Sequence, residues 1–110
     1  MNYRQFILDS EGNPQPQPDL LAWVRYWQSH EELIRVAVTQ IGPALVSTVF
    51  LRTDHNFGFE GGPVFWETLI FGGKLDEKCV RCGGTREQAE AMHCDWVAKV
   101  MKAEGVVPVD

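Results

Sequence analysis

Asp54, His55 and Glu67 are the polar residues whose types and positions could do chemistry in this chain. Asp54 and His55 end a run of strand-forming residues, and a loop containing Gly58, Gly61, Gly62 and Pro63 follows. Glu67 then interrupts Phe65, Leu69 and Phe71. A carboxylate beside an imidazole can support acid–base work. A glycine-rich loop lets backbone N–H groups approach a ligand closely. Neighbouring strand residues point in opposite directions, so Asp54 and His55 make a poor direct dyad. Period-two geometry places Glu67 on the face of Phe65, Leu69 and Phe71, where a buried carboxylate is costly unless paired. Arg52 and His93 are the candidate partners.

Each of these residues also has a plain structural alternative. Asp54 can close an Asx-type turn with His55 exposed. Glu67 can be a satisfied structural acid or lie on an exposed face. His93 stands on an apolar helix face, where a histidine commonly bonds a backbone carbonyl or carboxylate.

The segment KCVRCGG offers a second chemistry. Cys79-x-x-Cys82 resembles half of a zinc knuckle, and His93 and Cys94 could supply further ligands. Successive helical residues diverge by about 100°, so His93 and Cys94 do not naturally converge on one ion. A second CxxC is missing from the sequence. The P-loop, nucleophile-elbow, HExxH and dinucleotide fingerprints are missing as well.

The elements that must position these groups follow from pattern. Residues 3–8 alternate as a short edge strand. Residues 10–18 read as a polar connector broken by prolines. Asp19 is an N-cap for a helix to about His30, with Leu20, Leu21, Val24 and Trp27 as its apolar stripe. Trp23 and Tyr26 widen that stripe, an aromatic flank suited to packing on a sheet, with ligand stacking by Trp23 as the alternative. Residues 35–41 form a strand and Gly42-Pro43 a tight turn. Residues 45–53 form a strand that is apolar on both faces and therefore central. Residues 64–71 pair with it antiparallel, and 79–81 add a short fourth rung. Thr85 and Gln88 form a capping box for a helix over 85–103. Its apolar face carries Ala89, Met92, His93, Trp96, Val97 and Val100. The tail GVVPVD frays or lies along the surface. The order predicts an α+β fold: a small antiparallel sheet of three to five strands with two helices, the C-terminal one packed on it.

A chain of 110 residues, 45% hydrophobic and 11% aromatic, is sized and composed for one globular domain, 1–110. A formal charge of -5 lacks the basic footprint of a nucleic-acid binder and suits small molecules or basic protein patches. Neither a signal-peptide pattern nor a membrane-length apolar run is present, which predicts a cytoplasmic protein. Three cysteines then read as free thiols or metal ligands.

The segment VSTVFLRTDHNFGFEGGPVFWETLIFGG, with TREQAEAMHCD downstream, resembles a family of small tailed-phage and prophage proteins. The matches are Thr48 to Leu51, Asp54-His55, Trp66-Glu67-Thr68, Phe71-Gly72-Gly73, then Thr85, Ala89 and His93. They span about Val36 to Val100. The resemblance marks Asp54, His55, Glu67, Thr68 and His93, and it carries no activity with it. Leu69 stands where the family has Met, and Cys82 where it has an aromatic residue, so metal ligation is not the shared role. A phage setting points to counter-defence in a bacterial host. The expected function is a non-catalytic binding protein capturing a small, nucleotide-like ligand with Arg52, Asp54, His55, Asn56, Glu67, Thr68 and His93, without cofactor, as a homo-oligomer around that pocket. The alternatives are an acidic inhibitor of a host defence complex of CRISPR type, a zinc-stabilised interaction domain on Cys79, Cys82, His93 and Cys94, and a small hydrolase using His55 or His93 with Glu67.

Overall fold

The computed structural model describes residues 4–56 and 60–106. Gly58 of the glycine loop, Tyr3 and the last four residues of the tail lie outside that range. The described chain runs β1 (Phe6–Leu8), β2 (Pro14–Pro16), α1 (Leu20–Ser29), a 3-10 turn (Glu31–Leu33), β3 (Arg35–Ile41), β4 (Ala44–Phe50), β5 (Trp66–Phe71), β6 (Cys79–Cys82) and α2 (Arg86–Ala103). β3, β4, β5 and β6 form one four-stranded antiparallel sheet in that order, and α2 packs on it. The fold is therefore α+β, as the pattern predicts, with β4 and β5 central.

The N-terminal region departs from the expected connector. β1 and β2 form their own antiparallel hairpin, pairing Phe6 with Pro16 and Leu8 with Pro14. Prolines fit here because ladder bonds join Asp9 to Asn13 and Gln5 to Gln17, which alternation extends to the Ile7–Gln15 pair between them. Pro14 and Pro16 thus occupy positions whose N–H would point away from the ladder. The Asp9 carboxylate accepts from the backbone N–H of Glu11 and Asn13, both at 2.9 Å. The Asn13 bond leads in holding its carboxyl below the ordinary range.

Helix α1 begins where Asp19 caps the N–H groups of Leu21 and Ala22. Its buried side keeps Trp27 and the aromatic flank of the predicted stripe but not its aliphatic members. Leu20 and Leu21 are 57% and 64% exposed, whereas Trp27 is buried and Trp23 and Tyr26 pack against the core. The indole N–H groups of Trp23 and Trp27 both donate to the Phe6 carbonyl at 3.0 Å, and the Tyr26 hydroxyl bonds the Leu8 carbonyl at 3.0 Å. Three aromatic rings with aimed polar tips outweigh three aliphatic side chains: they bury more area and satisfy carbonyls on β1.

The sheet has two unlike faces. Ala44, Val46, Thr48 and Phe50 alternate with Leu45, Ser47 and Val49 along β4, the first set buried. Trp66, Thr68 and Ile70 continue the buried set on β5. Around them gather Phe6, Trp27, Phe65 and Ala89 at one end, and Ile41 and Val100 at the other. α2 starts at a capping box in which Thr85 and Gln88 serve each other's backbone. It buries Ala89, His93 and Val100, while Met92, Trp96 and Val97 are half-buried. No helix among the described residues is long and apolar enough to cross a membrane.

Trp66 is fully buried and its indole N–H bonds the Gly84 carbonyl at 3.0 Å. Trp66→Ala is expected to cost about 3–5 kcal/mol. Leu21→Ala is expected to change stability by less than about 0.5 kcal/mol. Urea denaturation of the two variants checks both values; the reverse order would return the aliphatic stripe of α1 to the core.

Candidate functional site

The residues singled out by sequence fall into three places. The first is the helix-facing core. The imidazole of His93 is 5% exposed and lies between two hydroxyls, Thr39 Oγ1 at Nε2 and Thr48 Oγ1 at Nδ1, each 2.8 Å away. Thr48 Oγ1 also meets Thr68 Oγ1 at 2.6 Å. A neutral imidazole has one donor and one acceptor nitrogen, so two hydroxyls satisfy it completely. The partners are threonines on β3 and β4, not the carbonyl or carboxylate expected. Burial lowers the pKa of His93 and favours this neutral form.

The second place is the loop after β4. Asp54 Oδ1 accepts from the backbone N–H of Asn56 at 2.8 Å and of Val64 at 2.9 Å. This is the Asx turn, closed further by the bond from His55 N–H to the Val64 carbonyl at 2.9 Å. The Asn56 amide donates to the Gly62 carbonyl across the loop. Arg52 adopts φ 67°, and its carbonyl accepts from Phe6 N–H at 2.9 Å and the Trp23 indole at 3.3 Å. Its exposed side chain points out of that junction.

The third place is the uncovered face of the sheet. Strand register sets Arg35, Val49, Glu67 and Arg81 in one row across β3, β4, β5 and β6. Arg81 Nε donates to Glu67 Oε2 at 2.7 Å, with side-chain exposures of 50% and 12%. Glu67 thus has a partner, and it is Arg81 rather than Arg52 or His93. The bond to Glu67 raises the pKa of Arg81. The next row holds Val38, Ser47, Leu69 and Cys79, and the one after it Gln40, Leu45 and Phe71. Val38 is 42% and Phe71 51% exposed. Partial burial, then the nearby Glu67 carboxylate, push the Cys79 thiol above its ordinary pKa.

One pocket made by Arg52, Asp54, His55, Asn56, Glu67, Thr68 and His93 is therefore not formed. Thr68 and His93 join on one face of the sheet, Glu67 lies on the other, and the loop residues close their own turn. The zinc set also separates. Cys79 and Cys82 are three apart in a strand, which sends their side chains to opposite faces. Cys82 packs toward the core and its pKa is raised by burial, whereas Cys94 is exposed on α2 beside buried His93. Among the described residues no three His, Cys, Asp or Glu side chains group to hold a metal ion.

Sequence reasoning missed Arg81, Thr39 and Thr48. Arg81 had a signal: a cation in the middle of a strand predicted next to the Glu67 strand. No family model, curated protein or solved structure matches the chain.

The network gives stability a defined pH dependence. His93 binds a proton less readily folded than unfolded, so unfolding takes up protons as pH falls. Its contribution is intact above the unfolded pKa near 6.5 and is lost as pH drops through the lower folded value. Denaturation between pH 7.5 and 5.5 is expected to show stability falling with pH. His93→Gln is expected to be less stable by about 1–3 kcal/mol at neutral pH and to flatten that slope. An unchanged slope would mean that His93 is accessible to protons in the folded protein.

Proposed function

We propose that this chain is a non-catalytic binding protein that engages a host protein through the uncovered face of its four-stranded sheet. The observation that supports this reading is the one-sided cover of the sheet. Both helices and the β1–β2 hairpin contribute to cores on one face, while Val38, Leu45, Val49, Leu69 and Phe71 remain on the other, with the Glu67–Arg81 pair at one end of them. Apolar patches bordered by polar groups are characteristic of interaction surfaces. A phage counter-defence setting rests on the resemblance alone. Within that setting, inhibition of a host defence complex accords better with an open face than capture by an enclosed pocket.

Placing a photo-crosslinking p-benzoylphenylalanine at Phe71, with Ala98 on the exposed side of α2 as control, tests the reading in bacterial cells. A discrete adduct at position 71 that is missing at 98 is the expected result. Equal adducts at both positions, or none, would remove the face as a binding surface. Adducts only between copies would assign it to a homo-oligomer.

One observation favours a small ligand as a second reading, at residues other than those expected. A cleft of about 590 Å³ is lined by Leu8, Asp9, Glu11, Tyr26, His30 and Arg86 among others. The Tyr26 and His30 rings stack with centroids 4.1 Å apart and 9° between planes. A stacked aromatic pair near an arginine suits a base and its phosphate. Equilibrium dialysis against linear and cyclic nucleotides should then show retention that Arg86→Gln reduces; no retained nucleotide would end this reading.

A further inference from the structure

β6 is an edge of the sheet, and its outer side carries no strand among the described residues. The bond from Ile70 N–H to the Lys78 carbonyl, together with the β5–β6 register, makes Lys78, Val80 and Cys82 the residues that bond inward to β5. Cys79 and Arg81 consequently aim their N–H and C=O groups at the free edge. Both residues are exposed. An unpaired edge of this kind is complemented by one chemistry above all, an extended peptide backbone.

The edge does not face open solvent alone. It borders a groove of about 720 Å³ between β6 and α2. Val80 and Cys82 face the helix side, because their register partners Thr68 and Trp66 are buried there. Met92 and Trp96 supply the helix wall of the groove, and Gly83 and Gly84 form its end. A strand added beside β6 would place every second side chain against Val80, Met92 and Trp96, and the remaining ones on the outer face beside Arg81.

Charge selects among extended peptides. The Trp96 ring carries Lys99 Nζ 4.4 Å and Lys78 Nζ 5.8 Å from its centroid. Lys99 also pairs with Asp95 at 2.9 Å, but both side chains are more than half exposed, and such a helical pair is weakly held. Arg81 keeps further N–H donors beyond the one given to Glu67. Lys78, Arg81 and Lys99 outnumber Asp95, which also lines the groove, and Arg81's partner Glu67, so the rim is net positive in a chain of net charge -5. A second copy would set Lys78, Arg81 and Lys99 against their own twins, whereas an acidic partner would meet them favourably.

We propose that β6 and α2 form a peptide-binding groove for an extended segment that alternates apolar and acidic residues, added as a strand on the β6 edge. The proposal rests on the binding reading above and specifies a separate surface for it, the edge rather than the face.

A displayed library of random octapeptides, panned on the purified protein, supplies the probe. Enriched peptides are expected to alternate apolar with acidic residues. Anisotropy titration of the consensus peptide should weaken by about tenfold or more in Ala91→Trp, which fills the groove from an exposed helix position, and in Lys99→Glu. N-methylation at alternate peptide residues should abolish binding, and amide shifts should centre on Cys79 and Arg81. Thermal melting verifies that both variants fold. Absence of enrichment, or binding indifferent to Ala91→Trp or to Lys99→Glu, would overturn the proposal. So would a dimer in sedimentation that Ala91→Trp disperses, since the groove would then hold a second copy. A crosslinked partner at position 71 alongside a failed peptide panel would leave the binding reading standing without the groove; failure of both removes the reading itself.

Discussion

The hydrogen-bonded chain Thr39–His93–Thr48–Thr68 is the constraint on which the two-layer arrangement depends. It runs from β3 through α2 to β4 and β5, so one imidazole fixes the helix over three strands. Apolar contacts alone tolerate sliding of a helix along a sheet. Three buried polar side chains and a half-buried Thr39 do not, because any shift strands a hydroxyl or a ring nitrogen away from water. Burial of the ring favours its neutral form, and the network accounts for threonines as the polar residues on the inner face. Their methyl groups pack while their hydroxyls bond.

A second anchor closes the far end of the core. The Phe6 carbonyl receives two indole N–H groups, from Trp23 and Trp27, and the Phe6 N–H bonds the Arg52 carbonyl. α1, β1 and the end of β4 thereby meet at a few backbone groups. The Phe6, Trp27, Phe50, Phe65 and Trp66 rings pack around that point, with Phe6 and Phe65 centroids 4.6 Å apart and Phe50 and Trp66 centroids 4.8 Å apart. The left-handed turn at Arg52 has its explanation here, since its carbonyl must reach both Phe6 and Trp23.

Local signals were legible in the sequence and non-local ones were not. The β-branched run of β4, the Gly42-Pro43 turn, the Asp19 cap and the Thr85–Gln88 box each act within a few residues, and each produced the element expected. On α1 the aromatic side chains pack as expected, but the aliphatic part of the stripe does not, because hydrophobicity ranks Leu20 and Leu21 above tryptophan and tyrosine. What decides that side is hydrogen bonding of ring tips to carbonyls on β1, which no periodicity reveals. The β1–β2 hairpin was hidden by its prolines. Only the register shows that their missing N–H groups face away from the ladder. The Glu67–Arg81 pair likewise depends on a register set by the loop between β5 and β6, so a strand-centre glutamate could be noticed but not partnered.

Placement on opposite faces also bears on chemistry. Glu67 and His93 were the pair that a hydrolase would need, and the sheet itself stands between their side chains. A substrate touching one cannot touch the other without unpairing β5. His93 has both nitrogens occupied in the core, and Glu67 holds Arg81 in a charge-assisted bond. What the sheet leaves available is a face of apolar residues with an ion pair at one end and, among the described residues, an unpaired edge beside lysines over a tryptophan. Shape, backbone pairing and charge are the means of recognition open to surfaces of this kind.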